Sequence, residues 1–250
     1  MGGAVRPDLA SGLTVDRRKV VTGLYVGVAL LLVLHLVAQW LLFYGQDALG
    51  RDFEGAQFLD VDVEMSLPTW WQVLVLATAG GLAALLGHLL GRGRPTEARR
   101  WSILGLIFVL MSLDEATSLH ERLIEPMRDT LGIDGGPLFF AWVVPAMAGL
   151  VLFAALYLRF WWDLPAGPRR RIGWAGVVFL LGALGAEMVS GAYLSESEVN
   201  LGYGLLNGLE EGLEMVGAVL LVDALLWMIQ IQLQGRHLEV SVETGVPADH

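Results

Sequence analysis

From Val20 to Tyr44 the chain carries no Asp, Glu, Lys or Arg. As a helix that run is long enough to cross a hydrocarbon core of about 30 Å, which takes about 20 apolar residues. Similar blocks follow at about 69–91, 101–121, 138–161, 172–194 and 203–232, interrupted by few charges. With 55% hydrophobic and 17% charged residues and a mean hydropathy of +0.58, little polar surface is left to coat a water-soluble globule. The expected fold is an all-α integral membrane protein, a bundle of six transmembrane helices. It comprises a short segment 1–19, a membrane domain 20–234 and a polar, disordered tail 235–250. The first block is too long for a signal-peptide core and lacks a small-x-small cleavage site, so it reads as an uncleaved anchor.

The connections between blocks give the direction of each span. Arg6, Arg17, Arg18 and Lys19 precede the first block. Arg92, Arg94, Arg99 and Arg100 fill the second connection, Arg159, Arg169, Arg170 and Arg171 mark the fourth, and Arg236 follows the last block. Thirteen of the 16 basic residues thus alternate onto one side, and basic residues beside spans are retained in the cytoplasm. Both termini are expected there, in what reads as a bacterial cytoplasmic membrane. The other side is acidic. Within its first connection Leu59–Met65 alternates apolar and acidic residues, a period-two pattern expected to form a short surface strand.

The net charge of -10 excludes a general attraction for nucleic acid. The absence of cysteine excludes disulfides, thiolate ligands and a cysteine nucleophile. Lys19 is the only lysine, so an intramembrane Schiff base is excluded as well. Trp70, Trp71, Trp101, Trp161 and Trp162 sit at block ends, as expected of interfacial anchors.

Three blocks nevertheless contain acids. The third ends MSLDEATSLHERL, the fifth contains GALGAEMVSG, and the sixth begins YGLLNGLEEGLEMVG. Charged groups inside spans are costly and mark function by default. At 1.5 Å per residue, Asp114, Glu187 and His35 lie roughly 20–22 Å from the cytoplasmic edge, and Glu210, Glu211 and Glu214 roughly 10–16 Å below the outer edge. These groups therefore share one level in the outer half. On a continuous third helix Asp114, Thr117, Ser118 and Glu121 would share a face, with Glu115 and His120 flanking it on opposite sides. Gly204, Gly208 and Gly212 make a smooth stripe on the sixth helix, suited to close packing.

Seven carboxylates meet at most two histidines there, and the nearest basic residue is Arg122. Protons or cations must offset that charge. The expectation is one or two divalent metal ions, with iron, manganese or zinc best suited to an oxygen-rich set with imidazole. The expected ligands are Asp114, Glu121, Glu187, Glu210, Glu211, Glu214 and His35, with His120 and Glu115 as catalytic groups. The ligand chemistry resembles that of helical-bundle dimetal carboxylate proteins, although the Glu-x-x-His repeat of those proteins is absent. A metal-dependent membrane enzyme acting on a lipid or other hydrophobic small molecule is the first functional expectation. A cation or proton transporter using the same acids is the second, and a structural subunit with protonated acids the third. Asp223 and His88 are the only candidates for a polar path inward, and pairing with a neighbouring hydroxyl or Trp is the alternative for Asp223.

Overall fold

The computed structural model describes residues 16–91 and 93–243, and their side chains as far as residue 234. Arg6, Arg92 and the ends 1–15 and 244–250 lie outside the described residues, as does the side chain of Arg236. The described chain is helical, with no strand among the described residues. Its long helices are α1 (Arg17–Leu49), α2 (Leu67–Leu90), α3 (Pro95–Thr117), α5 (Val143–Asp163) and α8 (Leu201–Glu243). A short α4 (Ile124–Leu131) follows α3. The α6 helix (Ala166–Leu180) passes through a π-helical turn, Leu181–Ala186, into α7 (Glu187–Leu194).

Five of these units, counting Ala166–Leu194 as one, are long and apolar enough to cross a membrane. A sixth is completed if Pro95–Thr117 and Glu121–Leu131, bent by 73°, form one broken span. The outward surface agrees with a bilayer setting: Val151, Leu152 and Leu156 of α5 are 70%, 61% and 65% exposed. A patch of that kind in water would drive association.

Local chemistry sets the boundaries. Asp16 caps α1 by accepting from the backbone N–H groups of Arg18 and Lys19, and Gly50 ends it in the left-handed region. Ser66 caps α2 and Pro68 sits in its first turn, where a missing N–H is harmless. The last helix continues to Glu243, so the stretch 235–243 of the expected disordered tail is helical.

Two expectations about local structure give way. Glu54–Leu59 is a 3-10 helix followed by turns, and the expected strand over Leu59–Met65 is absent. The cause is Asp60, whose carboxylate accepts from Gln39 Nε2 at 2.8 Å and stands 3.1 Å from His35 Nδ1, drawing the loop inward. The third helix ends at Thr117 and not near 121, because Ser118 turns the chain through a left-handed conformation at φ 50°.

The α8 helix is the axis of the bundle and packs against α1, α2 and α6, while α2 and α3 form the closest pair. On α8, Met215, Val219, Val222 and Leu225 are almost wholly buried, meeting Leu76 and Leu86 of α2 and Leu31 of α1 in one apolar core. Trp101 is also in that core, edge-on to Phe160 at 5.3 Å, and is not an interfacial anchor. Trp70 and Trp162 are well exposed. Side chains of α1 fill the glycine stripe of α8: a Cβ on Gly208 would stand 2.9 Å from the His35 ring. That close approach is what small-residue stripes allow between helices.

Candidate functional site

The acidic residues converge on a cavity of about 500 Å³ at the end of the bundle away from Arg17, Arg94 and Arg171. Three elements build its acid wall. Asp114, Glu115, His120 and Glu121 come from the end of α3 and the turn after it, Glu187 from the start of α7, and Glu210, Glu211 and Glu214 from α8. The loop before α2 adds Asp62 and Glu64. The cavity is thus lined by nine carboxylates and one imidazole, with no Lys or Arg among the described residues. The rest of its lining is mostly apolar and includes Met111, Leu150, Phe179, Leu180 and Leu184.

The break after Thr117 is what brings Glu115 and His120 together, contrary to their opposite placement on an unbroken helix. Beyond Ser118 the chain folds back, so that Asp114 Oδ1 accepts the His120 backbone N–H at 3.0 Å and Asp114 Oδ2 stands 2.8 Å from His120 Nδ1. Trp142 stacks obliquely on the imidazole with ring centroids 4.8 Å apart. The ring is therefore fixed from two sides, and Nε2 is the nitrogen left to face a ligand. Carboxylate-anchored imidazoles of this kind are typical of metal-binding histidines.

Glu187 is placed by the π turn before it. Such turns insert one extra residue into a helix and recur at functional sites. Here the turn carries Gly182 against α8 so tightly that a Cβ would meet the Glu210 carbonyl oxygen at 2.7 Å. The buried Glu187 accepts from Trp142 Nε1, and Glu210 accepts from Ser190 Oγ at 2.8 Å. Both carboxyls line the cavity.

Asp62 occupies the mouth. Its open side faces the cavity, and its hydroxyl neighbour Tyr203 reaches it at 3.5 Å. Loss of solvent and the nearby charges of Asp60, Glu121 and Glu187 push its carboxyl up to about 7, with His35 opposing.

His35 is not part of this wall. Its Nε2 donates to the Gly204 carbonyl at 2.8 Å, so Nε2 is protonated. Its Nδ1 faces the Val61 backbone N–H at 3.2 Å and Asp60 at 3.1 Å. With both nitrogens engaged, the expected ligand is instead the pin that fastens the outer loop to α1 and α8. The period-two pattern places Asp62 and Glu64 on a short surface strand and not at the cavity. The available signal was their closeness to the Ser66 cap, which holds them within a few residues of the α2 mouth. Nothing in sequence pattern marked Trp142 as the partner of Glu187.

Among the described residues, no group of three His, Asp or Glu side chains already forms a ready coordination shell. A cation would have to draw its ligands in from the walls or bind partly through water, as hard cations often do.

Toward the arginine end the polar lining stops. No titratable residue occurs on α8 between Glu214 and Asp223. Asp223 pairs with Arg17 and, at 3.3 Å, with Arg171, in place of the expected hydroxyl or Trp. His88 is exposed on α2.

A family model described as a domain of unknown function (DUF8692) matches residues 23–229. The chain belongs to this family. The DUF8692 match spans every residue of the cavity wall, from Val61 to Glu214. Comparison with curated proteins and with solved structures returns no significant match.

Proposed function

We propose that this DUF8692 chain is a polytopic membrane protein that binds one or two divalent cations in its acidic cavity and uses them on a hydrophobic substrate. The observation that carries the proposal is the lining itself: nine carboxylates and an anchored imidazole without one basic side chain. Ionised at low dielectric they would repel strongly, and a divalent cation offsets two charges at once. In this reading His120 Nε2, Glu115, Glu121, Glu211 and Glu214 are the ligand candidates. Asp114 orients the imidazole, and the Glu187–Glu210 pair supplies or accepts a proton beside them. Iron, manganese and zinc all suit that mixture of donors. A bound ion would lower the pKa of a coordinated water or polarise a substrate oxygen.

Two features support a one-sided site over a transport path: the apolar stretch of α8 beneath the cavity and the engagement of Asp223 by two arginines. The arginine end is assigned to the cytoplasm and the cavity to the opposite face. The absence of native cysteine allows a clean check: a single cysteine placed at Glu54 should react with an impermeant maleimide in intact cells, and one placed at Arg94 only after the cells are permeabilised.

The test of function is metal content. Protein purified in detergent without chelator should carry about one or two divalent ions per chain, and a Glu211→Gln, Glu214→Gln variant less than about a tenth of that. Metal-free wild type under replete conditions would sink the proposal.

A further inference from the structure

Three observations bear on what else enters the cavity. First, Asn207 lines it, is 3% exposed, and its Nδ2 has no hydrogen-bond partner. Gln72 is 1% exposed with both amide atoms unpartnered, and it lies between the cavity residues Thr69 and Leu76 on one face of α2. Unmade hydrogen bonds of buried amides cost free energy, and the one that lines the cavity, on Asn207, points to a ligand that completes it. Second, the cavity also has an apolar lining, to which Met111 of α3, Leu150 of α5 and Leu184 in the π turn contribute. Third, α5 stands off from its neighbours. Of its 21 residues only Val143 and Phe160, near its two ends, are buried, and among the described residues no extended backbone pairing joins it to another helix. Its ties are side-chain contacts, such as Tyr157 Oη to the Arg100 carbonyl at one end and Trp142 to Glu187 at the other. The side of the cavity toward α5 is therefore the side on which an alkyl chain could pass between helices.

Resting on the cation reading, we infer that the substrate is a neutral single-chain amphiphile, with a hydroxyl or carbonyl head set between Asn207 and the acids and its alkyl chain leaving past α5. The polarity of the lining selects the head. The lining offers nine carboxyls and, among the described residues, no Lys or Arg, so an anionic carboxylate or phosphate head finds no basic side chain to pair with. A neutral oxygen accepts from Asn207 Nδ2 and can face a bound cation. A cavity of about 500 Å³ suits the head and the first part of a chain, with the remainder in lipid.

The test uses three probes with one C16 chain carrying a mid-chain diazirine: the alcohol, the carboxylic acid and the amine. Each is photolysed with manganese-loaded protein in nanodiscs, and the labelled peptides are mapped and quantified. The alcohol should label the segments around Leu150 and Leu184, at least tenfold above the acid. Asn207→Ala and, independently, Leu184→Trp should each lower that labelling about tenfold. Leu184→Trp fills part of the apolar lining. Equal labelling by the acid, stronger labelling by the amine, or labelling indifferent to both variants would overturn the inference. Metal measured on the same samples separates the two readings: alcohol labelling with no bound metal defeats only the cation reading, and bound metal with no alcohol labelling defeats only this one.

Discussion

Asp114 holds His120 by both of its oxygens, one on the backbone N–H at 3.0 Å and the other on ring Nδ1 at 2.8 Å. One side chain thereby closes the break at the end of α3 and aims an imidazole into the cavity. Removing its charge should act on the site more than on the fold. Asp114→Asn keeps an acceptor for the backbone N–H but weakens the hold on the ring. The expected result is a 10- to 100-fold loss of divalent-ion affinity with a small change in melting temperature. Titration of the apo protein with Mn2+ measures the first, and unchanged affinity would show that Asp114 does not orient a ligand.

Asp62 gives a pH signature. Its carboxyl is raised to about 7 in the fold, from an ordinary value near 3.8. The native state therefore keeps a proton that the unfolded chain has lost, and stability from this group is full below about pH 4 and declines as pH rises toward 7. In chelator, melting temperature should fall over that window, and Asp62→Asn should flatten the fall. Added cation favours the ionised carboxylate, so binding near pH 6 should release a proton that the variant does not release. A wild-type profile identical to that of Asp62→Asn would contradict this assignment.

Ser118 sits at φ 50°, a conformation that costs an L-residue about 1–2 kcal/mol. Ser118→Gly should leave stability unchanged or raise it by up to about 1 kcal/mol, the larger freedom of unfolded glycine taking back part of the gain. Ser118→Val should lose about 1–2 kcal/mol, because a branched side chain is poorly tolerated in that region. Thermal unfolding in detergent distinguishes them, and equal behaviour of the two variants would mean that the turn is not constrained as described.

Gly182 is the close approach that presents Glu187 to Glu210. A Cβ there meets backbone atoms of α8, the Glu210 carbonyl oxygen at 2.7 Å and the Glu214 nitrogen at 3.0 Å, which cannot swing aside. Gly182→Ala should cost about 1–3 kcal/mol and lower metal content. Gly149 on α5 has nothing within 4 Å of a built Cβ, so Gly149→Ala should be neutral or gain about 0.5–1 kcal/mol from helix propensity. A Gly182→Ala protein as stable as Gly149→Ala would remove the close contact from the account.

Much of the architecture was legible because bilayer physics leaves so few alternatives. Long uncharged runs such as Val20–Tyr44 become helices since lipid offers no other partner for the backbone. The acids of α3, α7 and α8 were also legible, as rare charges at one depth. What sequence could not show came from breaks in periodicity. Projecting Asp114, Glu115, His120 and Glu121 on one continuous helix separated residues that the turn at Ser118 reunites. The alternation of Leu59–Met65 signalled a strand, yet the pull of His35 and Gln39 on Asp60 sets that loop as turns and places Asp62 and Glu64 at the cavity. Asp223 looked available for a proton path because Arg17 and Arg171, distant in sequence, could not be seen to reach it.

The central claim is that a divalent cation sits in the acidic cavity against His120. Electron–nuclear double resonance on Mn2+-loaded protein reads this directly. The account predicts a 14N coupling from one imidazole that disappears in His120→Gln and persists in His35→Gln. Bound Mn2+ without nitrogen coupling, or a coupling lost only in His35→Gln, would contradict it.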